Sequence, residues 1–276
     1  MNDHAPRVAG TIGPCACPRF PPPAPPPPPP TPTAKVYQCQ RAPGPVQIDG
    51  DITKSVWKDA KWTDDFIDIE GAPPLRPNPA FRTRLKMMWD DTYFYFAVEM
   101  EEPHVWATLT QRDSVIFQDN DFEVFLNPSG DSRNYYEFEV NALNTVWDLL
   151  LRKPYREGGT ADTSFCIEGL KSAVKVHGTV NDPRDTDKGW DIEIAMPWSA
   201  FTAHTKSPGP PRVGDSWKVN FSRVQWDTNL MGGSATAPPT YVKVEDAKEH
   251  NWVWSPMGLI DMHLPDRWGT VTFAKP

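Results

Sequence analysis

Residues 121–141 read Asp121-Phe122-Glu123-Val124-Phe125-Leu126-Asn127-Pro128-Ser129-Gly130-Asp131-Ser132-Arg133-Asn134-Tyr135-Tyr136-Glu137-Phe138-Glu139-Val140-Asn141. Two runs of alternating apolar and polar side chains flank a Pro-Ser-Gly-Asp turn signal, the pattern of a β-hairpin. Phe122, Val124 and Leu126 share one face with Tyr136, Phe138 and Val140. The other face carries Glu123 and Phe125 on one strand and Glu137, Glu139 and Asn141 on the next. Pairing Asn127 with Tyr135 keeps both apolar sets on the core side and sets Glu123 directly opposite Glu139. Thr145 to Leu151 extends the hairpin by a third strand.

The same reading works outward along the chain. Phe81 to Trp89 alternates, Asp90-Asp91-Thr92 turns, and Tyr93 to Met100 returns apolar on both faces. Ala173 to Val180 and Trp190 to Met196 flank a polar loop, with Trp190, Ile192, Ile194 and Met196 on one side of the second strand. Trp217 to Trp226 and Trp268 to Phe273 are further strands. Ile52 to Ala60 predicts one short helix burying Val56 and Trp57, and Pro197 to Phe201 a single helical turn. No long segment holds a helical period. Many strands joined by Pro- and Gly-rich turns predict an all-β fold, an antiparallel β-sandwich of immunoglobulin-like or jelly-roll type with one or two short helices.

Composition bounds the rest. Of 276 residues, the first 33 form a Pro-rich head predicted to be disordered, which leaves 34–276 for one large sandwich domain. Phe20 to Thr33 favours an extended polyproline rod, serving as a spacer or as a ligand for a Pro-binding domain. Twelve Trp, 13 Phe and 7 Tyr let few residues bury much area. The net charge of −8, without a basic block or stripe, argues against nucleic acid and anionic membrane surfaces as partners. No apolar run spans a bilayer. Met1 to Gly13 has no apolar core suited to secretion, so a cytoplasmic location is the default expectation. Cys39 and Cys166 could bridge, but two buried free thiols fit better. Cys15 and Cys17 are too close to bridge comfortably.

Chemistry is expected where charge meets aromatic rings. Facing carboxylates at Glu123 and Glu139 repel, so a cation, an Arg or a shared proton should stand between them. Arg152 and Arg223 are candidates, and Arg223 is in phase with the core side chains Val219 and Phe221. The expected polar site is therefore rimmed by Glu123, Glu139, Asn141 and Arg223 on the outer sheet. Near the end, Asn251-Trp252-Val253-Trp254-Ser255-Pro256 and Met262 to Gly269 place three Trp in Pro-broken text. Indoles on loops offer a flat apolar surface edged by hydrogen-bonding groups, which suits a sugar ring. Two carboxylates could also serve as the acid and base of a glycoside hydrolase. Acidic turns at Asp64-Asp65, Asp68 to Glu70, Asp90-Asp91 and Asp119 to Asp121 could supply calcium ligands, although none has EF-hand spacing. The six His show no metal-ligand spacing. Phosphate-loop, dinucleotide and nucleophile-elbow motifs are absent.

Taken in order, several pieces resemble the family 9 carbohydrate-binding module, a DOMON-like β-sandwich. They are Val46 to Gly50 followed by Trp57, Leu85 to Phe96 with Trp89-Asp90-Asp91-Thr92-Tyr93, and Asn120 to Phe125. Tyr136 to Asn141, Trp190 to Trp198, and Trp254-Ser255-Pro256 with Arg267-Trp268-Gly269 complete the set, covering about 36–274. The resemblance implies a non-catalytic module of a kind attached to glycoside hydrolases, which binds a glucan- or xylan-type oligo- or polysaccharide in carbohydrate breakdown. It implies that two Trp clamp a terminal sugar while a Glu binds its hydroxyls. That Glu maps to Glu123, and the second Trp to Trp254 or its neighbour Trp252. The first Trp falls on Phe117, with Trp106 as a nearby substitute, and a family Arg falls on Glu139. A DOMON-like fold also raises haem as an alternative, with Met87 or Met88 and His104 as ligands. No other cofactor is implied.

Overall fold

The computed structural model describes residues 32–73, 76–205, 209–234 and 237–275, all within the unit Thr31–Pro276. The Pro-rich stretch lies outside them except for Pro32 and Thr33, as do Cys15 and Cys17. The strands are β1 (Val36–Arg41), β2 (Ile67–Asp68), β3 (Thr83–Trp89), β4 (Tyr93–Glu101), β5 (Asp121–Asn127), β6 (Tyr135–Asn141), β7 (Val146–Leu151) and β8 (Ala161–Asp162). They continue as β9 (Lys171–Val176), β10 (Gly189–Pro197), β11 (Ser216–Gln225), β12 (Thr228–Met231), β13 (Thr240–Lys243), β14 (His250–Val253) and β15 (Gly269–Phe273). No helix among the described residues is long and apolar enough to cross a membrane.

The main path runs β8-β7-β6-β5-β11-β15-β1-β3-β4-β10-β9, with β14 beside β11 and β2 beside β14. The first four residues of β1 pair with β15 and its last two with β3, so one strand passes from one layer of the sandwich into the other. Both of these pairings are parallel, a departure from the wholly antiparallel sandwich that hairpin patterning predicts. Hairpin signals are local, whereas β1 meets partners far away in sequence, so no turn chemistry announces its direction.

The core lies between the layers. Phe122, Val124, Leu126, Tyr136, Phe138 and Val140 meet Leu85, Met87, Phe94, Phe96, Ile192 and Ile194 there, as the alternation predicts. The Asp90 turn forms because its side chain accepts the amides of Thr92 at 2.7 Å and Tyr93 at 2.8 Å. The β5–β6 connection is longer than the turn signal suggests. It is pinned by Asn127, whose Nδ2 donates to the Arg133 carbonyl at 2.8 Å and whose Oδ1 accepts from the Ser132 amide at 3.0 Å. The helix expected over Ile52 to Ala60 shrinks to one 3-10 turn, Ser55–Trp57. Buried Glu193 holds that segment, accepting from the Asp49 and Gly50 amides, Lys54 Nζ and Trp57 Nε1. The turn expected after Pro197 is a 3-10 stretch, Trp198–His204. Both cysteines are free thiols, but only Cys39 is buried as expected; Cys166 is exposed, in the loop between β8 and β9.

Candidate functional site

The site lies on the outer face of β11, β5, β6 and β7, where side chains stand in rows across the strands. One row is Ser222, Glu123, Glu139 and Trp147, and the next is Asn220, Phe125, Glu137 and Leu149. Half of this face is roofed by the chain between Val253 and Trp268, whose Met257, Met262, Leu264 and Trp268 pack on Phe125, Tyr135, Leu149 and Leu151. The roof is tied down by backbone capture. Asn220 grips Ser255 through both its amide N–H and its carbonyl, and Trp268 Nε1 donates to the Met262 carbonyl at 2.7 Å. Where the roof stops, a cleft of about 460 Å³ opens over the carboxylate rows.

Aromatic rings wall the cleft. Phe117 and Trp147 line it together with Tyr155, Asn251, Glu249 and His263. Phe117 sits on a 3-10 turn, Ile116–Gln118, held at both ends. Its amide donates to Glu139 Oε2 at 2.9 Å, and its carbonyl accepts Trp226 Nε1 at 2.9 Å. Tyr155 meets the His263 ring edge to face, with centroids 4.4 Å apart. Burial lowers the His263 pKa from 6.5 to about 4, so this ring is neutral at pH 7.

The floor is acidic. Burial first, and then the charges of the neighbouring carboxylates, hold Asp121, Glu137 and Glu139 well above the ordinary carboxylate range. Burial also pushes Glu123 up to about 7. Asp121, Glu123 and Glu139 each offer an oxygen within 4.8 Å of the other two. A floor held towards its protonated form presents carboxyl groups that both donate to and accept from hydroxyls, and it gains charge only where a partner draws the protons off.

Of the expected site residues, Phe117, Glu123 and Glu139 line the cleft, with Glu123 and Glu139 paired as the alternation predicts. The others stand elsewhere. Asn141 is consumed by structure, donating to the Leu109 carbonyl and Asp119 and accepting the Leu143 and Thr145 amides. Arg223 points into the sandwich, where it pairs with Glu102 at 2.8 Å and donates to Gln225, Thr83 and the Glu101 carbonyl. Its phase with Val219 and Phe221 was the correct clue.

The Trp clamp is corrected. Trp252 and Trp254 are 5% and 2% exposed and belong to the core. Their segment contains β14, which pairs with β11 and β2, so residues two apart both face inward. Trp252 lies under Arg223 and against Phe81, and Trp254 packs on Phe221. Trp106 is buried too and cannot substitute.

The alternative activities find no support. Met87 faces the core and Met88 the opposite face beside Trp57 and Tyr95, while His104 bonds Tyr241, so no haem ligand set converges. Burial pushes Glu123 and Glu139 in the same direction, towards the protonated form. Of the acidic turns expected to supply calcium ligands, Asp68 and Asp90 accept turn amides, Asp119 accepts those of Thr108 and Leu109, and Asp64 and Asp91 pair with Lys35 and Arg41, whereas Asp121 keeps an oxygen without a partner. Sequence reasoning passed over Glu137, Trp147, Tyr155 and His263. The first two were within reach, since they follow from the same register that aligned Glu123 with Glu139.

A β-sandwich carrying an aromatic-walled, acid-floored cleft on its outer face has the form of a small-ligand binding module. Residues 48–214 match the family described as carbohydrate family 9 binding domain-like, and the chain belongs to that family. Among solved structures it is similar to a candidate carbohydrate-binding protein from Bacteroides uniformis, at 18% identity and a TM-score of 0.61, covering 87% of this chain and 100% of that one. It is also similar to a family 9 carbohydrate-binding module from Caldicellulosiruptor kristjanssonii in complex with cellotriose (16% identity, TM-score 0.52, 88% and 95% covered). The glucose complex from that organism matches alike, at 16% identity and a TM-score of 0.51, with 87% and 97% covered. At these identities the likeness concerns the fold. No curated protein matches the chain.

Proposed function

We propose that the protein binds a neutral saccharide of the glucan or xylan type in the cleft above β5, β6 and β7. The observation that carries this reading is the combination of ring walls and a buried carboxylate floor in a member of this family. Phe117, Trp147 and Tyr155 offer apolar surface to the C–H faces of a pyranose, while Glu123, Glu137 and Glu139 exchange hydrogen bonds with its hydroxyls. A cellotriose complex and a glucose complex among the structural neighbours support a glucan as the first ligand to test. In this reading the module serves carbohydrate breakdown by holding polysaccharide, in partnership with a glycoside hydrolase. An open cleft with one indole and two smaller rings, in place of two indoles, predicts weak to moderate affinity.

The test is calorimetric titration with glucose, cello-oligosaccharides and xylo-oligosaccharides, followed in parallel by Trp fluorescence. Binding is expected for at least one series and is expected to weaken in Glu123→Gln. A ligand whose affinity is untouched by both Glu123→Gln and Trp147→Ala would place recognition outside this cleft.

A further inference from the structure

Buried carboxylates elsewhere in the protein have donors built for them. Glu193 accepts four, Asp119 is held by Thr108, Leu109 and Asn141, and Asp187 by the amides of Val105 and Thr179. Asp148 takes Arg112 and the Ile167 amide, and Glu102 takes Arg223. The floor of the cleft breaks this rule. Asp121 is fully buried, yet its Oδ2 has no hydrogen-bond partner, and neither does Glu137 Oε2 in a side chain that lines the cleft. A buried carboxylate oxygen without a partner is costly, and crowding four buried carboxylates together adds their mutual repulsion.

Three of these groups converge. Oxygens of Asp121, Glu123 and Glu139 lie within 4.8 Å of one another. Two ligands on opposite sides of a calcium ion, each about 2.3–2.6 Å from it, stand roughly 4.6–5.2 Å apart, so the trio fits inside one such coordination sphere. Magnesium, at about 2.0–2.1 Å, draws opposed ligands closer, to roughly 4.2 Å, and demands stricter geometry. The donors are all hard oxygens, with no His or Cys among them, which disfavours zinc and copper. We propose that Asp121, Glu123 and Glu139 bind a divalent cation of the calcium type at the floor of the cleft, with Glu137 in the neighbouring row adding negative charge. The remaining coordination positions face the cleft, where water can fill them. This assignment goes beyond the saccharide reading and stands without it.

The test uses the full chain without sugar. After treatment with EDTA, the protein is titrated with calcium by thermal denaturation and with terbium by luminescence excited through tryptophan, since Trp147 stands next to Glu139 in the register. A rise in Tm of roughly 5–10 °C is expected at calcium a hundredfold above its Kd. Terbium emission should appear and be displaced by calcium. Both responses should vanish in Asp121→Asn and in Glu139→Gln, while those variants melt higher than the parent in EDTA because a buried repulsion is gone. If either fails to fold, Glu123→Gln carries the same comparison. Absence of any calcium or terbium response, with the variants still melting higher, would assign neutralisation of the floor to protons and overturn the proposal. A calcium response that survives the substitutions would overturn it as well, by locating the ion elsewhere.

Discussion

Replacing Trp254 separates a ligand clamp from a core anchor. Trp254 is 2% exposed, its ring centroid is 5.8 Å from that of Phe221, and Gly269 comes so close that an added Cβ would stand 2.3 Å from its ring. Truncation to Ala therefore leaves a cavity that neighbouring backbone cannot fill. Loss of a buried Trp side chain costs about 3–5 kcal/mol. For a domain of this size that lowers Tm by roughly 6–20 °C. The cleft, on the other face of the sheet, should keep its saccharide affinity within about twofold in the fraction that remains folded. Trp147→Ala should do the reverse. It lines the cleft and is only partly buried, so its loss should cost less than about 2 kcal/mol of stability while weakening binding about tenfold. Differential scanning fluorimetry and calorimetric titration of both variants read the two axes together. A Trp254→Ala protein with an unchanged Tm and abolished binding would refute the burial argument and restore the clamp.

Two further outcomes follow from the same packing. Gly269→Ala should destabilise by about 1–3 kcal/mol, because the Cβ meets the Trp254 ring and the Lys35 carbonyl rather than a movable side-chain end. Urea denaturation checks this, and Trp254→Leu should partly rescue it. The His263 ring takes up a proton in the unfolded chain near pH 6.5 but in the fold only near 4. Its contribution is therefore complete above about 6.5 and is lost as pH falls towards 4, by at most about 3 kcal/mol. A stability–pH profile of His263→Asn should be flatter in that window, and an unchanged slope would assign the acid sensitivity to other groups.

The hairpin alternation was sufficient to read the heart of the site. Glu123 and Glu139 face each other, and Phe122, Val124 and Leu126 face inward, because a strand permits only two directions for a side chain and burial selects one. The third strand, the Asp90 turn and the inward set on β10 were legible for the same reason. Terminal Trp residues were misread because Pro-rich text looks like loop, while β14 hides within it and borrows its pairing from β11 and β2. Asn141 and Arg223 were misassigned for a related reason, since a polar residue declares its chemistry in sequence but not whether backbone groups have already used it.

By itself, then, the amino-acid sequence determined the all-β class, the pairing of the central strands and the presence of facing carboxylates, since each depends on near neighbours and a period of two. Tertiary structure alone decided that β1 joins both layers in parallel, that the indoles of 252 and 254 fill the core, and that Tyr155 and His263 wall a cleft beside Phe117. Those features arise from segments that are not joined by a single turn, brought together by burial of apolar surface, a force with no direction of its own and so no local signature.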